Sequence, residues 1–345
     1  MADNALKDNW ERSFLKVLYH LKRPGQSIVI DETTDRLYLQ KCLDHYDRKV
    51  YDYLKAHPCP EIPSVRLIWE EEEKLFVVEE MIQESGIDRK AIRALASCAP
   101  GVIDQDTGTV LFTPNLPMRN YDMKGAMEKY FGIPFFVGND VNLGVLGEYK
   151  YGAGQGYRNI VGFFVGTGMG GGLILNGELY TGHQFKAAEY GHMILDPEGP
   201  LCNCGQRGCL EAFSSKQGMS AYIRQQVSRG RETMMAEAVT DGVFRSKKLK
   251  RALTAGDKVA QEAVDRACHY LAIATGNMIN TFSPDLILYG GGVMEALGDV
   301  FLEKILSEVD RYCMTAIRPT VDLKIAALGD DSILYGDLAL IEEHM

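Results

Sequence analysis

No stretch of this sequence approaches the apolar length that a membrane span needs, and nowhere do basic residues run long enough to neutralise a phosphate backbone. The 345 residues carry 37 Lys plus Arg against 47 Asp plus Glu, a net charge of −10. The expectation is therefore no membrane partner and no nucleic-acid partner. The opening MADNALKDNWERSF is too polar for a secretion signal, so a cytoplasmic location is expected. Internal repeats and low-complexity segments are absent too, which sets solenoids and solvated tails aside. Disulfides are not expected: of eight cysteines, Cys42, Cys59, Cys98, Cys268 and Cys313 are scattered among apolar or mixed neighbours and read as small buried thiols. The other three are crowded between positions 202 and 209. A chain of this length can bury a core and build two lobes with a cleft between them.

The composition changes near residue 82. Residues 1–82 are dense in charge and aromatics and read as a small α+β unit: strands at 27–30 and 37–43, a helix at 46–55, then strands at 65–69 and 75–79 around the acidic turn 70–74. Beyond it, MIQESGIDRKAIRALAS predicts a helix and a short strand closed by the turn pair Pro100-Gly101. IPFFVGNDVN is an apolar strand running into polar residues, with a helical stretch to Tyr149. NIVGFFVGTGMGGGLILNGELY gives two apolar strands joined by a glycine-rich turn. Residues 214–281 are mainly helical, and LILYGGGV is a buried strand opening into a glycine turn. Strands alternating with helices favour an α/β fold whose sheet-end loops form the site.

The segment GHMILDPEGPLCNCGQRGCLEAF places a histidine ten residues before a C-x-C-G-x-x-G-C knot. Three thiolates and one imidazole, His192, Cys202, Cys204 and Cys209, make the closed tetrahedral set of a structural zinc site, and the glycines let the backbone turn tightly enough to gather them. The competing reading is reduced thiols beside an unrelated histidine. Gly166-Thr167-Gly168-Met169-Gly170-Gly171-Gly172 follows an apolar strand, so backbone N–H groups there can approach phosphate oxygens; an ordinary hairpin turn is the alternative.

These residues resemble the signature of the ROK family of repressors, uncharacterised open reading frames and kinases: G-E-x-G-H followed by C-x-C-G-x-x-G-C-x-E. They stand as Glu189-Tyr190-Gly191-His192 and Cys202-Asn203-Cys204-Gly205-Gln206-Arg207-Gly208-Cys209-Leu210-Glu211. The resemblance runs from about residue 83 to the end through Pro114-Asn115-Leu116-Pro117, Gly138-Asn139-Asp140-Val141-Asn142, Gly166-Thr167-Gly168 and Gly290-Gly291-Gly292. It implies an actin-like ATPase (ribonuclease-H-like) α/β fold with two lobes and a zinc-binding loop, preceded by the small α+β unit. The organisation would be 1–82, then 83–138 as the remainder of the small lobe, then 139–345 as the large lobe, with the C-terminal helix free to return to the small lobe. The implied activity is ATP-dependent phosphorylation of a hexose, of the glucokinase type. Asp140 matches the catalytic base, where a turn aspartate is the plain alternative. Asn115, Asn139, Glu189, His192 and Glu211 match the sugar contacts, although Glu211 also suits a helix N-terminus. Gly166, Thr167, Gly168, Gly291 and Gly292 match the nucleotide turns, with Mg2+ bridging the phosphates. His192 would then use one ring nitrogen on zinc and the other on a sugar hydroxyl, making the zinc structural. A homodimer is implied as well.

The sequence departs from that pattern at its start. The D-x-G-G-T loop with which a complete ROK kinase grips phosphates is missing, and Asp31-Glu32-Thr33-Thr34 lacks both glycines. Residues 1–82 instead resemble part of a bacterial protein-kinase N-lobe, with Lys41 at the ATP-pairing lysine, His57-Pro58, and Leu75-Phe76-Val77-Val78-Glu79-Glu80-Met81-Ile82 leading to a hinge. No glycine-rich loop, H-R-D or D-F-G segment accompanies them, so protein-kinase activity is not expected. The alternative to a working kinase is a sugar-binding ROK remnant impaired in catalysis. A ROK repressor is the third reading; residues 1–82 have the wrong element order for a winged helix-turn-helix, and the run Glu70 to Glu73 would repel DNA.

Overall fold

The computed structural model of the chain describes residues 28–31, 36–39, 64–67, 88–113, 118–240 and 242–345. Asn115, Lys41, and the helix and strand expected at 46–55 and 75–79 lie outside the described residues. The chain divides into two compact units, residues 1–137 and 138–345.

In the first unit, β1 (Ile28–Asp31) pairs antiparallel with β2 (Arg36–Leu39), which pairs parallel with β3 (Ser64–Leu67). A single turn of 3-10 helix at Arg89–Ala91 precedes β4 (Leu95–Ala99). The meander β5 (Val102–Asp104), β6 (Thr109–Phe112) and β7 (Arg119–Asp122) is antiparallel throughout. Helix α1 (Met123–Phe131) is capped by Asp122, whose side chain accepts from the Gly125 N–H at 2.7 Å, and it stops at Gly132 in the left-handed region. Ala99, Ile103, Val110, Met127, Phe131, Phe135 and Val137 form the core of this unit.

Strand β8 (Phe135–Asn139) runs straight into α2 (Asp140–Tyr151). The second unit is built on a five-stranded sheet in the order β11-β10-β9-β12-β13. Strand β10 (Met169–Leu175) pairs antiparallel with both β9 (Ile160–Val165) and β11 (Glu178–Leu179), whereas β12 (Leu286–Gly290) lies parallel to both β9 and β13 (Asp322–Ile325). All five residues of β12 are buried, as expected of a strand covered on both faces. The helical stretch between β11 and β12 comprises α3 (Glu211–Ser214), α4 (Lys216–Ser228), α5 (Ala236–Thr240), α6 (Ser246–Thr254) and α7 (Lys258–Phe282). Helix α7 owes its 25 residues to apolar positions recurring at three- and four-residue intervals, such as Val259, Ala260, Ala263, Val264, Ala267 and Leu271. Asp257 caps its start on the Ala260 N–H at 3.0 Å. Helix α8 (Met294–Glu308) follows β12, and α9 (Ser332–His344) ends the chain against α2.

The α2–α9 crossing depends on missing side chains. A Cβ on Gly147 would stand 2.1 Å from the Ser332 carbonyl oxygen, and one on Gly336 would stand 2.0 Å from that of Leu143. Glu148, fully buried on α2, accepts from the backbone N–H groups of Ala153, Ala327 and Leu328 at 2.7–3.0 Å. That carboxylate fixes both the exit of α2 and the approach to α9.

Candidate functional site

Asn139 ends β8 and caps α2, its side-chain oxygen accepting from Val141 and Asn142 N–H groups at 3.0 Å each. Asp140 is therefore the first residue of a helix, at the end where the backbone dipole favours negative charge. It is half-buried, and one carboxylate oxygen accepts from the Val141 N–H at 3.0 Å. The capping that orders this corner engages the Asn139 side-chain oxygen.

The knot is assembled by backbone turns. Ile194 pairs with Cys209, and Leu201 with Arg207, as isolated antiparallel bridges. The Cys202 N–H donates to the Gln206 carbonyl at 2.8 Å, and the Gly208 N–H to that of Pro200 at 2.9 Å. Gly208 sits at φ 74° with its backbone so close to residue 196 that a Cβ would come within 1.6 Å of the Asp196 carbonyl oxygen. In consequence one ligand atom each from His192, Cys202, Cys204 and Cys209 lies within 4.8 Å of the others. Cys204 Sγ is 3.6 Å from Cys209 Sγ, and Cys202 Sγ is 3.8 Å from His192 Nδ1. Four ligands tetrahedrally disposed at ~2.3 Å from a zinc ion are separated by edges of about 3.8 Å, close to the two short separations here, so shifts of about 1 Å in the wider pairs would let the donor set fit such an ion. Burial pushes the Cys202 thiol up to about 12 and raises that of Cys209, while the backbone N–H of Gln206 lowers that of Cys204. A cation would supply the charge that lets all three act as thiolates.

Glu189 precedes the 3-10 turn Tyr190–His192. Its side chain reaches solvent, yet the protein around it desolvates the carboxyl and holds it above the usual range. The His192 ring opposes this, and the Glu211 and Asp140 carboxylates reinforce it. Three of the sequence-predicted residues, Asp140, His192 and Glu211, thus lie within electrostatic reach of a fourth, Glu189. Glu211, the first residue of α3, divides its carboxylate: Oε2 accepts from the Met169 N–H at 2.8 Å, and Oε1 lies 3.6 Å from Cys202 Sγ. The knot and the turn after β9 share this side chain.

Gly166, Thr167 and Gly168 form that turn, closed by the Gly166 N–H donating to the Gly168 carbonyl at 2.9 Å. The N–H groups of Lys216 and Gln217, at the start of α4, donate to the carbonyls of Gly166 and Thr167 at 3.0 and 3.1 Å. Nothing stands nearer than 3.9 Å to a Cβ placed on Gly166, so its outer side is open. Gly170, Gly171 and Gly172 differ from the sequence expectation of one continuous loop, because they belong to β10. Added Cβ atoms would fall 2.5 Å from Val141, 2.3 Å from the Ala188 carbonyl oxygen and 2.6 Å from Val145, respectively. These three glycines let α2 and residues 188–190 approach the sheet. Gly291, at φ 85°, ends β12 against Val165, whose carbonyl accepts from the Val293 N–H at 3.0 Å. The two glycine turns therefore stand side by side at the carboxyl ends of adjacent parallel strands, where open α/β sheets bind ligands.

Sequence reading missed Lys216 and Glu148. Nothing in a lone lysine or glutamate on a helical stretch marks it, since the partners lie tens of residues away.

The sequence profile of the ROK family matches residues 70–344, and the chain belongs to that family. The match begins inside the segment that resembles a protein-kinase N-lobe. A glucokinase from Halalkalibacterium halodurans is 35% identical over 247 residues, which cover 71% of this chain and 74% of the relative. Among solved structures, a ROK family glucokinase from Streptomyces griseus in complex with glucose and AMPPNP superposes with a TM-score of 0.66 at 30% identity, covering 79% of this chain and 87% of that one. A ROK family transcriptional regulator, a homologue of the Escherichia coli Mlc protein, gives a TM-score of 0.71 at 26% identity, covering 79% and 68%. The fold is the actin-like ATPase type with α/β content. No helix among the described residues is long and apolar enough to cross a membrane.

Proposed function

We propose that the chain transfers the γ-phosphoryl group of ATP to a hexose hydroxyl. The observation that carries this reading is the convergence of Asp140, Glu189, His192 and Glu211 beside a pair of glycine turns, in a chain 35% identical to a glucokinase. Asp140 accepts the hydroxyl proton as the new O–P bond forms and ADP departs. Asn139, Glu189, His192 and Glu211 hold the sugar hydroxyls together with Asn115, and Gly166, Thr167, Gly168, Gly291 and Gly292 receive the nucleotide; Mg2+ bound with it would offset the phosphate charge. Zinc, held by His192, Cys202, Cys204 and Cys209, would supply rigidity: His192 Nδ1 faces the knot, and Nε2 is left to meet a sugar. The protein acts in the cytoplasm as a homodimer.

A coupled assay with glucose, fructose, allose and N-acetylmannosamine tests the proposal. Asp140→Asn should lower kcat by roughly 10²- to 10⁴-fold with little change in melting temperature. Metal-loaded protein that phosphorylates none of the four sugars would sink the reading. Light scattering giving the monomer mass would remove the dimer.

The similarity to a transcriptional regulator supports a second reading, a ROK repressor, which retarded migration of DNA would favour. Sugar heat without any ADP heat in calorimetry would instead favour a sugar-binding ROK remnant impaired in catalysis.

A further inference from the structure

Lys216 opens α4, directly after Ser215, whose hydroxyl accepts from the Gly218 N–H at 3.1 Å and so fixes where the helix begins. Its backbone N–H donates to the Gly166 carbonyl at the end of the β9 turn. Its side chain crosses to the neighbouring turn, where Nζ would stand 3.3 Å from a Cβ built on Gly292. That turn is anchored from its far side, because Ser246 Oγ donates to the Gly292 carbonyl at 2.7 Å. One half-buried residue is therefore tied by its main chain to the first glycine turn and lays its ammonium over the second. The nearby carboxyl of Glu295 is held above its usual range by burial first and by Asp330 next, with Lys216 pulling the other way. The ammonium thus lies within electrostatic reach of a carboxyl that burial drives toward its neutral form.

We propose that Lys216 is a binding residue for the phosphoryl donor, its ammonium contacting the phosphate groups of a nucleoside di- or triphosphate laid across the turns at Gly166 and Gly292. This rests on the reading that the nucleotide occupies those two turns. Backbone N–H groups at two glycine turns carry only partial charge. A full positive charge between them supplies what a polyanion requires in a chain of net charge −10. The ammonium exchanges its interaction with Glu295 for one with phosphate when the donor arrives. Adenosine, lacking phosphate, is indifferent to it.

The experiment uses the full chain and its Lys216→Met and Lys216→Arg variants. Calorimetry is run with Mg2+ and ADP and separately with adenosine, alongside steady-state KM values for ATP and sugar. K216M should weaken ADP about ten- to hundred-fold, as expected for loss of a hydrogen bond to a charged group. Adenosine affinity should stay within about twofold, KM for ATP should rise while KM for sugar holds, and K216R should recover most of the loss. Unchanged or tighter ADP binding in K216M overturns the proposal, the tighter case meaning that the ammonium fills the place a phosphate would take. Equal weakening of ADP and adenosine also overturns it, because the lysine would then be bracing the turns. Wild-type protein that binds ADP through Lys216 yet phosphorylates no sugar would uphold this inference and remove the kinase reading. Protein that binds no ADP would remove both.

Discussion

Two groups of glycines lie within seven residues of each other and do opposite work. Gly166 and Gly168 stand in an exposed turn, where Gly166 leaves open space; Gly170, Gly171 and Gly172 stand in β10, where each missing Cβ is occupied by another part of the protein. Gly166 frees backbone for something outside the chain, whereas a Cβ on Gly168 would stand 2.5 Å from Glu211 Oε2. The second group draws α2 and residues 188–190 onto the sheet. A glycine-rich run is thus one signal with two meanings, and only the surrounding packing separates them.

The widest separation should come from Gly171→Ala. Its Cβ would press on the Ala188 carbonyl oxygen, and with backbone on both sides we expect a loss of about 2–3 kcal/mol in urea unfolding. A variant as stable as the parent would dissolve the distinction. Stripping the zinc proposed for the knot with a chelator comes next. It should loosen the turn through Glu211 without loosening the strand, so that amide exchange at Met169 accelerates roughly thirtyfold while exchange at Gly171 is unmoved. Equal acceleration at both would mean that the knot holds the whole sheet. Glu211→Gln should accelerate Met169 exchange about tenfold with the metal retained, since a neutral amide oxygen still accepts but more weakly than a carboxylate. The smallest effect belongs to Gly166→Ala, which has room: a stability change under about 0.5 kcal/mol is expected, with a raised KM for ATP as its only large consequence. A large loss of stability there would place Gly166 in the packing group.

The same contrast explains what could be read from the sequence. The passage of β8 into α2, the β9–β10 pair, the long helical stretch and β12 are all carried by local periodicity and short turns, which a linear reading captures. The clustering of His192 with three cysteines was equally legible, because ten residues and a handful of glycines suffice to close it. The pairing of Glu211 with the Met169 N–H, 42 residues upstream, was not legible. Lys216 was invisible because its place above Gly292 follows from β9 and β12 being neighbours in the sheet, a parallel pairing across more than a hundred residues that no local pattern announces. Gly170, Gly171 and Gly172 were taken into the loop because helix approach leaves no mark on composition.

One consequence of the divided Glu211 carboxylate reaches beyond catalysis. Its two oxygens face the knot and the turn, so whatever ligand orders one end lowers the cost of ordering the other, and thermodynamic linkage makes the favour mutual. An occupant of the knot side is then felt at the turn as a change in affinity, whether or not a phosphate is ever passed between them. A single carboxylate, 2.8 Å from one backbone amide, is the junction between the two.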